Sequence, residues 1–257
     1  MLMSTEAKVI SFANHKGGVG KTTTAASVGS ILASKGSKVL LVDLDPQANL
    51  TCSLLDPSKI EGTVYEALTG KDDDKTLITS VNDNLDIVPS SLELASADLE
   101  LAGVMAREHI LDEWLADYKS SYDYILIDCP PSLGLLTLNA VTASDGVIIP
   151  LVAEYLPFVG LTMINNFIDM VKKKLNPRVS VLGILFTRYE KTIMSRQIEE
   201  GLRQQLGDLV FNTKIRKNVT LAQAPSELRA IVDYDKKSNG AVDYQNFTEE
   251  FIKRVSK

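Results

Sequence analysis

Lys8-Val-Ile-Ser-Phe-Ala-Asn-His-Lys-Gly-Gly-Val-Gly-Lys-Thr-Thr23 decides how this chain reads. Its opening, Lys8-Val-Ile-Ser-Phe-Ala13, is a short apolar run of the kind that forms a strand covered on both faces. A glycine-rich turn follows. Residues 22–35 then read as a helix, with Ala25, Val28 and Leu32 at helical spacing and Gly36 as the stop. A phosphate needs several backbone N–H groups converging on it. Glycines permit that close approach, and a helix N-terminus adds a favourable dipole. Strand, glycine-rich turn and helix in this order therefore predict a nucleotide's phosphates as the ligand. Gly17, Gly18, Val19, Gly20 and Thr23 build the loop. Lys21 is spaced to reach the β- and γ-phosphates, and the Thr22 hydroxyl to ligate Mg²⁺.

The same pattern repeats outward. Residues 38–43, 124–127, 147–149 and 179–186 are short apolar runs, and 85–88 is a weaker one interrupted by Asp86. Between them lie helical spacings: Leu161, Ile164, Ile168, Val171 and Leu175, then Tyr244, Phe247, Phe251 and Val255. Residues 107–118 also read as helix, with Trp114 packed. The alternation predicts an α/β fold, a doubly wound and mostly parallel sheet with helices on both faces. At 257 residues the chain is expected to form one domain. The polar stretch Lys71-Asp-Asp-Asp-Lys75 reads as a surface loop.

Composition narrows the class. Hydrophobic residues make up 45% and charged residues 23%, which suits a soluble globular protein. No apolar run approaches the ~20 residues of a membrane span, and no secretory signal opens the chain. Cys52 and Cys129 stand apart, so neither a disulfide framework nor a paired-cysteine metal site is expected, and a reducing cytoplasm fits. The net charge of -6 conceals an asymmetry: residues 172–217 hold 11 basic residues against Glu190, Glu199, Glu200 and Asp208. That excess reads either as solvated helix faces or as a surface for an anionic partner.

The loop departs from the usual Gly-x-x-x-x-Gly-Lys-[Ser/Thr] pattern, because His15 takes the first glycine position and Lys16 follows it. Lys-Gly-Gly-Val-Gly-Lys-Thr-Thr resembles the deviant Walker A motif of the ParA/MinD family of P-loop ATPases. Leu41-Val-Asp-Leu-Asp-Pro-Gln47 resembles the family's second acidic motif. Ile125-Leu-Ile-Asp-Cys-Pro-Pro-Ser132 resembles Walker B, and residues 215–226 resemble the segment near the adenine. The strings Asp-Leu-Asp-Pro-Gln, Asp-Cys-Pro-Pro-Ser and Gln-Ala-Pro-Ser look closest to the ParA/Soj partition ATPases. Two departures stand out. The family usually reads Ile-Pro-Arg-Asn-Val-Arg where this chain reads Ile215-Arg-Lys-Asn-Val-Thr220.

The resemblance implies ATP and Mg²⁺ as cofactors, and hydrolysis to ADP and phosphate. It places Lys16 across an ATP-bridged homodimer, on the partner's phosphates. It gives Asp45 the attacking water, puts Asp43 nearer Mg²⁺, and has Asp128 hold the ion through water. Arg216 and Pro225 fall beside the base. It implies a nucleoid-bound, cytoplasmic dimer that binds duplex DNA without sequence preference and is released when a ParB-like adaptor stimulates hydrolysis. Arg216 and Lys217 are the leading DNA candidates, with Lys191 and Arg196 behind them. Alternatives remain. A MinD-like membrane-associated ATPase would need a basic amphipathic tail, whereas the tail here balances three acids against three bases and reads as core packing. An iron–sulfur carrier would need paired cysteines. An ATP-dependent ligase would need a carboxylate-substrate site that the sequence does not display. The cargo could be a protein cluster rather than DNA. An N-terminal helix-turn-helix domain is not expected, since the first strand starts near Lys8.

Overall fold

The structure, a computed structural model, describes residues 6–71, 76–154 and 157–256, the side chains of 157–159 aside. Of the polar stretch at 71–75, residues 72–75 lie outside the described residues. The strands are β1 (Lys8–Phe12), β2 (Val39–Asp43), β3 (Thr79–Asn82), β4 (Leu85–Val88), β5 (Tyr124–Asp128), β6 (Gly146–Val152) and β7 (Ser180–Thr187). They form a seven-stranded sheet in the order β3-β4-β2-β5-β1-β6-β7. Every pairing is parallel except β3 with β4. The helices are α1 (Lys21–Ser34), α2 (Asn49–Leu54), α3 (Val64–Thr69), α4 (Ala97–Glu100), α5 (Ile110–Ala116), α6 (Leu135–Ala143), α7 (Pro157–Lys174), α8 (Ile193–Leu206), α9 (Thr220–Gln223), α10 (Ile231–Tyr234) and α11 (Asn239–Val255).

Alternate side chains of the central strands enter two separate cores, the period-2 consequence of the pleat. Val9, Leu40, Val42, Ile125 and Ile127 meet α3, α5, α6, α7 and α8 on one face. Ile10, Phe12, Val39, Leu41 and Leu126 meet α1, α2, α10 and α11 on the other. The fold is therefore doubly wound. Tyr244, Phe247 and Phe251 of α11 are buried in the second core.

Three details differ from the sequence reading. β3 lies outside the apolar runs, because its exposure alternates and it carries only one apolar residue, Val81. It leads into β4 through a tight turn and breaks register between Ser80 and Asn82. The helix expected over 107–118 contracts to Ile110–Ala116, preceded by Ala106 in the left-handed region at φ 54°. β6 runs past Pro150, which lies beyond its last rung with β1, Phe12 with Ile148, so the missing N–H breaks no rung on that side.

The basic stretch is also divided. Lys172, Lys173 and Lys174 close α7, and Arg178 precedes β7, at the amino ends of the strands. Arg188 and Lys191 follow β7 at the carboxyl ends, with Arg196 in the first turn of α8. Lys217 and Arg216 join them there, since residues 210–217 run beside β7. Phe211 N donates to Ile184 O, Ile215 N to Phe186 O and Tyr189 N to Ile215 O.

Candidate nucleotide and metal site

The phosphate loop links the carboxyl end of β1 to the start of α1. Gly18 and Gly20 hold φ of 71° and 83°, which L-residues with side chains rarely adopt. The loop is pinned from both ends. Asn14 Nδ2 donates to Pro150 O at 2.8 Å, and Asn14 Oδ1 accepts from Lys16 N at 3.1 Å. Thr187 Oγ1 donates to Val19 O at 2.7 Å. His15 packs its ring against Gly160 of α7, where a Cβ would lie 2.5 Å from Cε1. α1 begins without a side-chain cap and without an acid in its first turn, so its leading N–H groups remain available to an anion. Lys21 lies under the loop, with Nζ donating to Lys16 O at 3.0 Å. Burial pushes its ammonium below the ordinary lysine value, against the opposing pull of Asp128, Cys129 and Asp45.

Asp43 and Asp128 end neighbouring parallel strands as register partners. Both are fully buried, yet their surroundings differ. Asp43 accepts from Thr51 N at 2.9 Å, Thr51 Oγ1 at 2.8 Å and Asp45 N at 3.1 Å. Among the described residues neither oxygen of Asp128 meets a donor in hydrogen-bonding geometry, the Thr22 hydroxyl being the side-chain donor near it. Burial raises Asp43 to about 6, with those donors opposing it and the Asp45 charge adding to it. Burial, then the charge of Asp43, raises Asp128 well above the ordinary range. The Thr22 hydroxyl and Lys21 are close enough to offset part of that. Two abutting buried carboxylates, one of them unsatisfied, call for a cation. An oxygen-ligated Mg²⁺ fits that donor set, which pairs the Asp128 carboxylate with the Thr22 hydroxyl. The acid expected nearer the ion, Asp43, has its oxygens occupied by protein donors.

Asp45 is the acid that lines the open cleft, a cavity of about 750 Å³. Its Oδ1 accepts from Gln47 N at 3.0 Å. The cleft runs from Gly17, Gly18, Gly20, Lys21, Thr22 and Thr23 to a wall that includes Ile215, Asn218, Val219 and Pro225. Tyr244 closes its floor and meets Thr24 Oγ1 at 3.1 Å. Lys16 stands half-buried on the loop.

The DNA candidates separate by ion pairing. Arg216 is clasped by Asp243, with Nη2 at 2.7 Å, Nε at 2.9 Å and the backbone N at 2.9 Å. Lys217 pairs with Glu190 at 2.7 Å. Lys191 and Arg196 are exposed, and neither has an ion pair among the described residues. Arg216 and Lys217, the leading DNA candidates, are thus cations already neutralised in part, while Lys191 and Arg196 stand open. Sequence reading also passed over Asn14, Thr51, Thr187, Arg188 and Asp243. Their parts depend on contacts across the fold that no local pattern displays.

Comparison with known proteins accords with this geometry. A protein-family model described as an AAA domain matches residues 7–181. The sporulation initiation inhibitor protein Soj of Bacillus subtilis (strain 168) is 42% identical over 246 residues, covering 95% of this chain and 97% of Soj. The chromosome-partitioning ATPase Soj of Treponema pallidum (strain Nichols) is 42% identical over 250 residues, covering 96% and 98%. Among solved structures, cobyrinic acid a,c-diamide synthase from Mycobacterium smegmatis, crystallised with an ATP analogue and magnesium, superposes with a TM-score of 0.84. Its identity is 35%, over 98% of this chain and 96% of that one. A deviant phosphate loop, two acidic strand ends and near-complete coverage at this identity place the chain in the ParA/Soj family of partitioning ATPases.

Proposed function

We propose that this partition ATPase hydrolyses ATP with Mg²⁺ and uses nucleotide state to switch between monomer and an ATP-bridged homodimer that holds duplex DNA. The observation that carries the reading is Asp128, a buried carboxylate whose oxygens meet no donor in hydrogen-bonding geometry among the described residues, close to Thr22 and Lys21 beneath an uncapped helix start. The Thr22 hydroxyl and Asp128 are the residues that would hold Mg²⁺. Asp43 braces them, fixing α2 through Thr51 and the Asp45 backbone. When bound, the ion supplies positive charge to the oxygens of the β- and γ-phosphates.

The loop N–H groups from Gly17 to Thr23 cradle the phosphates. Lys21 exchanges the Lys16 carbonyl for a phosphate oxygen. Arg216 and Pro225 belong to the base side of the cleft. Asp45 orients the attacking water toward the γ-phosphorus, and ADP leaves. Lys16, whose ammonium has no ion pair among the described residues, serves the partner's phosphates, so the site is complete only in the dimer. Lys191 and Arg196 are the foremost contacts to DNA phosphates, with Lys217 and Arg216 behind them, and binding is salt-dependent and independent of sequence. A ParB-like adaptor would accelerate hydrolysis and free the protein from the nucleoid. A membrane track has less support. Among the described residues no helix is long and apolar enough to cross a membrane, and the apolar face of α11 is occupied by the core.

The test is single-turnover hydrolysis with Mg²⁺. Asp45→Ala is expected to bind ATP and accumulate as dimer while hydrolysis falls by at least 100-fold. Hydrolysis at the wild-type rate would move the water-positioning role to another carboxylate.

A further inference from the structure

Arg188 follows the last residue of β7, on the rim of the cleft. It has φ 47°, the left-handed region, although it is neither glycine nor asparagine. Non-glycine residues hold that conformation only where the surroundings over-determine it, and such residues concentrate at ligand sites. The surroundings here are explicit. Thr187 is tied by its hydroxyl to Val19 O of the phosphate loop at 2.7 Å. Tyr189 is tied by its N–H to Ile215 O of the base-side wall at 2.9 Å. Arg188 is the kink between the two anchors, and the kink throws its side chain over the loop.

The guanidinium is otherwise underused. One nitrogen, Nη1, donates to Gly18 O at a long 3.4 Å, and the residue is exposed. No acid pairs with it among the described residues. Elsewhere on the fold, Arg216, Arg203 and Arg254 are paired with Asp243, Glu199 and Glu250. Arg188 thus brings an open fork of donors to a cleft whose lining also carries Lys21, Arg216, Lys217 and Arg229, with Asp45 the acid in it. A planar guanidinium with unfilled donors suits phosphate oxygens.

We propose that Arg188 is a phosphate-binding residue of this site, a second side-chain cation that reaches the bound polyphosphate from the far side of the loop and whose backbone strain is maintained for that purpose. This rests on the nucleotide reading above and adds a residue that neither the motifs nor the spacing identifies.

Arg188→Gly separates function from structure, because glycine accepts φ 47° without strain and removes the guanidinium together. Melting temperature without nucleotide is measured alongside calorimetric affinities for ATP and for inorganic tripolyphosphate, with Arg188→Lys as the charge-retaining control. Arg188→Gly is expected to melt at or above wild type while binding both ligands about tenfold more weakly. Arg188→Lys is expected to recover part of that loss. Unchanged affinity for both ligands, or weakening for ATP alone, would overturn the phosphate role. A lower melting temperature with unchanged affinity would make Arg188 a structural residue. Wild-type protein that bound neither ligand would instead bring down the nucleotide reading itself.

Discussion

The clasp between Arg216 and Asp243 gives the most discriminating test of how the cleft is built. Asp243→Ala removes the acceptor for Arg216 Nη2 at 2.7 Å, Nε at 2.9 Å and the backbone N at 2.9 Å. The two side chains are unequally covered, 44% exposed for Arg216 against 9% for Asp243. Breaking a fully buried pair costs ~3–5 kcal/mol, whereas an exposed pair contributes ~0–1. A half-exposed guanidinium recovers water, so the side-chain part is discounted to about 1 kcal/mol. The orphaned Arg216 N–H adds about 1 kcal/mol. A loss of about 2 kcal/mol corresponds to a melting temperature lower by about 4–8 °C in a chain of this size. The wall at residues 215–219 loosens with it. ATP affinity is expected to fall about three- to tenfold while tripolyphosphate, which needs no base wall, binds as before. Asp243→Asn keeps an acceptor for the backbone N–H and should lose about half as much stability. Thermal melts and two-ligand calorimetry read all of this. Wild-type melting and ATP affinity in Asp243→Ala would show that packing alone holds the wall. Equal weakening of ATP and tripolyphosphate would show that the clasp serves the phosphates instead.

Further expectations concern the other groups. Lys16→Ala should bind ATP, because Lys21 and the loop amides remain, and should stay monomeric by light scattering with ATP and Mg²⁺; a dimer as stable as wild type would remove the role across the interface. Asp128→Asn should abolish the extra thermal stabilisation that Mg²⁺ adds to bound ADP, and a retained Mg²⁺ increment would place the ion elsewhere. Lys191→Glu and Arg196→Glu should each lower the slope of log DNA affinity against log salt by about 0.9 per subunit engaged, twice that in a dimer. Lys173→Glu, at the opposite end of the sheet, should leave that slope unchanged. The division of the basic stretch is wrong as a guide to DNA if Lys173→Glu does as much as Lys191→Glu.

What the sequence displayed was whatever depends on neighbours along the chain. The runs that became β1, β2, β5, β6 and β7 are apolar because both their faces are covered, and α1 announced itself by spacing and by Gly36. β3 has no such run, since it is a half-exposed edge held by β4 alone. Charge counting treated residues 172–217 as one basic surface. Charge, however, is set by partners, and Asp243 lies 27 positions from Arg216 in the chain. Likewise Asp43 and Asp128 look equivalent as acids closing apolar runs. Only the placement of α2, which brings Thr51 to Asp43, makes one carboxylate satisfied and the other not. Arg188 was invisible for the same reason, because its backbone conformation is imposed by anchors on two distant loops.

The segment beside β7 has a bearing on the fate of the protein outside its working cycle. β7 is the last strand of the sheet, and residues 210–217 donate to its carbonyls at Ile184 and Phe186. An open strand rim offers unpaired N–H and C=O groups to any other extended chain, the route to edge-to-edge aggregation. Here the rim is covered by the same segment that forms one wall of the cleft. Whatever pries that wall away uncovers a run of apolar residues, Val-Leu-Gly-Ile-Leu-Phe, ready to pair with a second molecule. Solubility is therefore expected to follow how firmly that wall is held. A protein starved of nucleotide, or weakened at the Arg216 clasp, should precipitate sooner than its loss of global stability alone explains, and a bound ligand should act as its own chaperone.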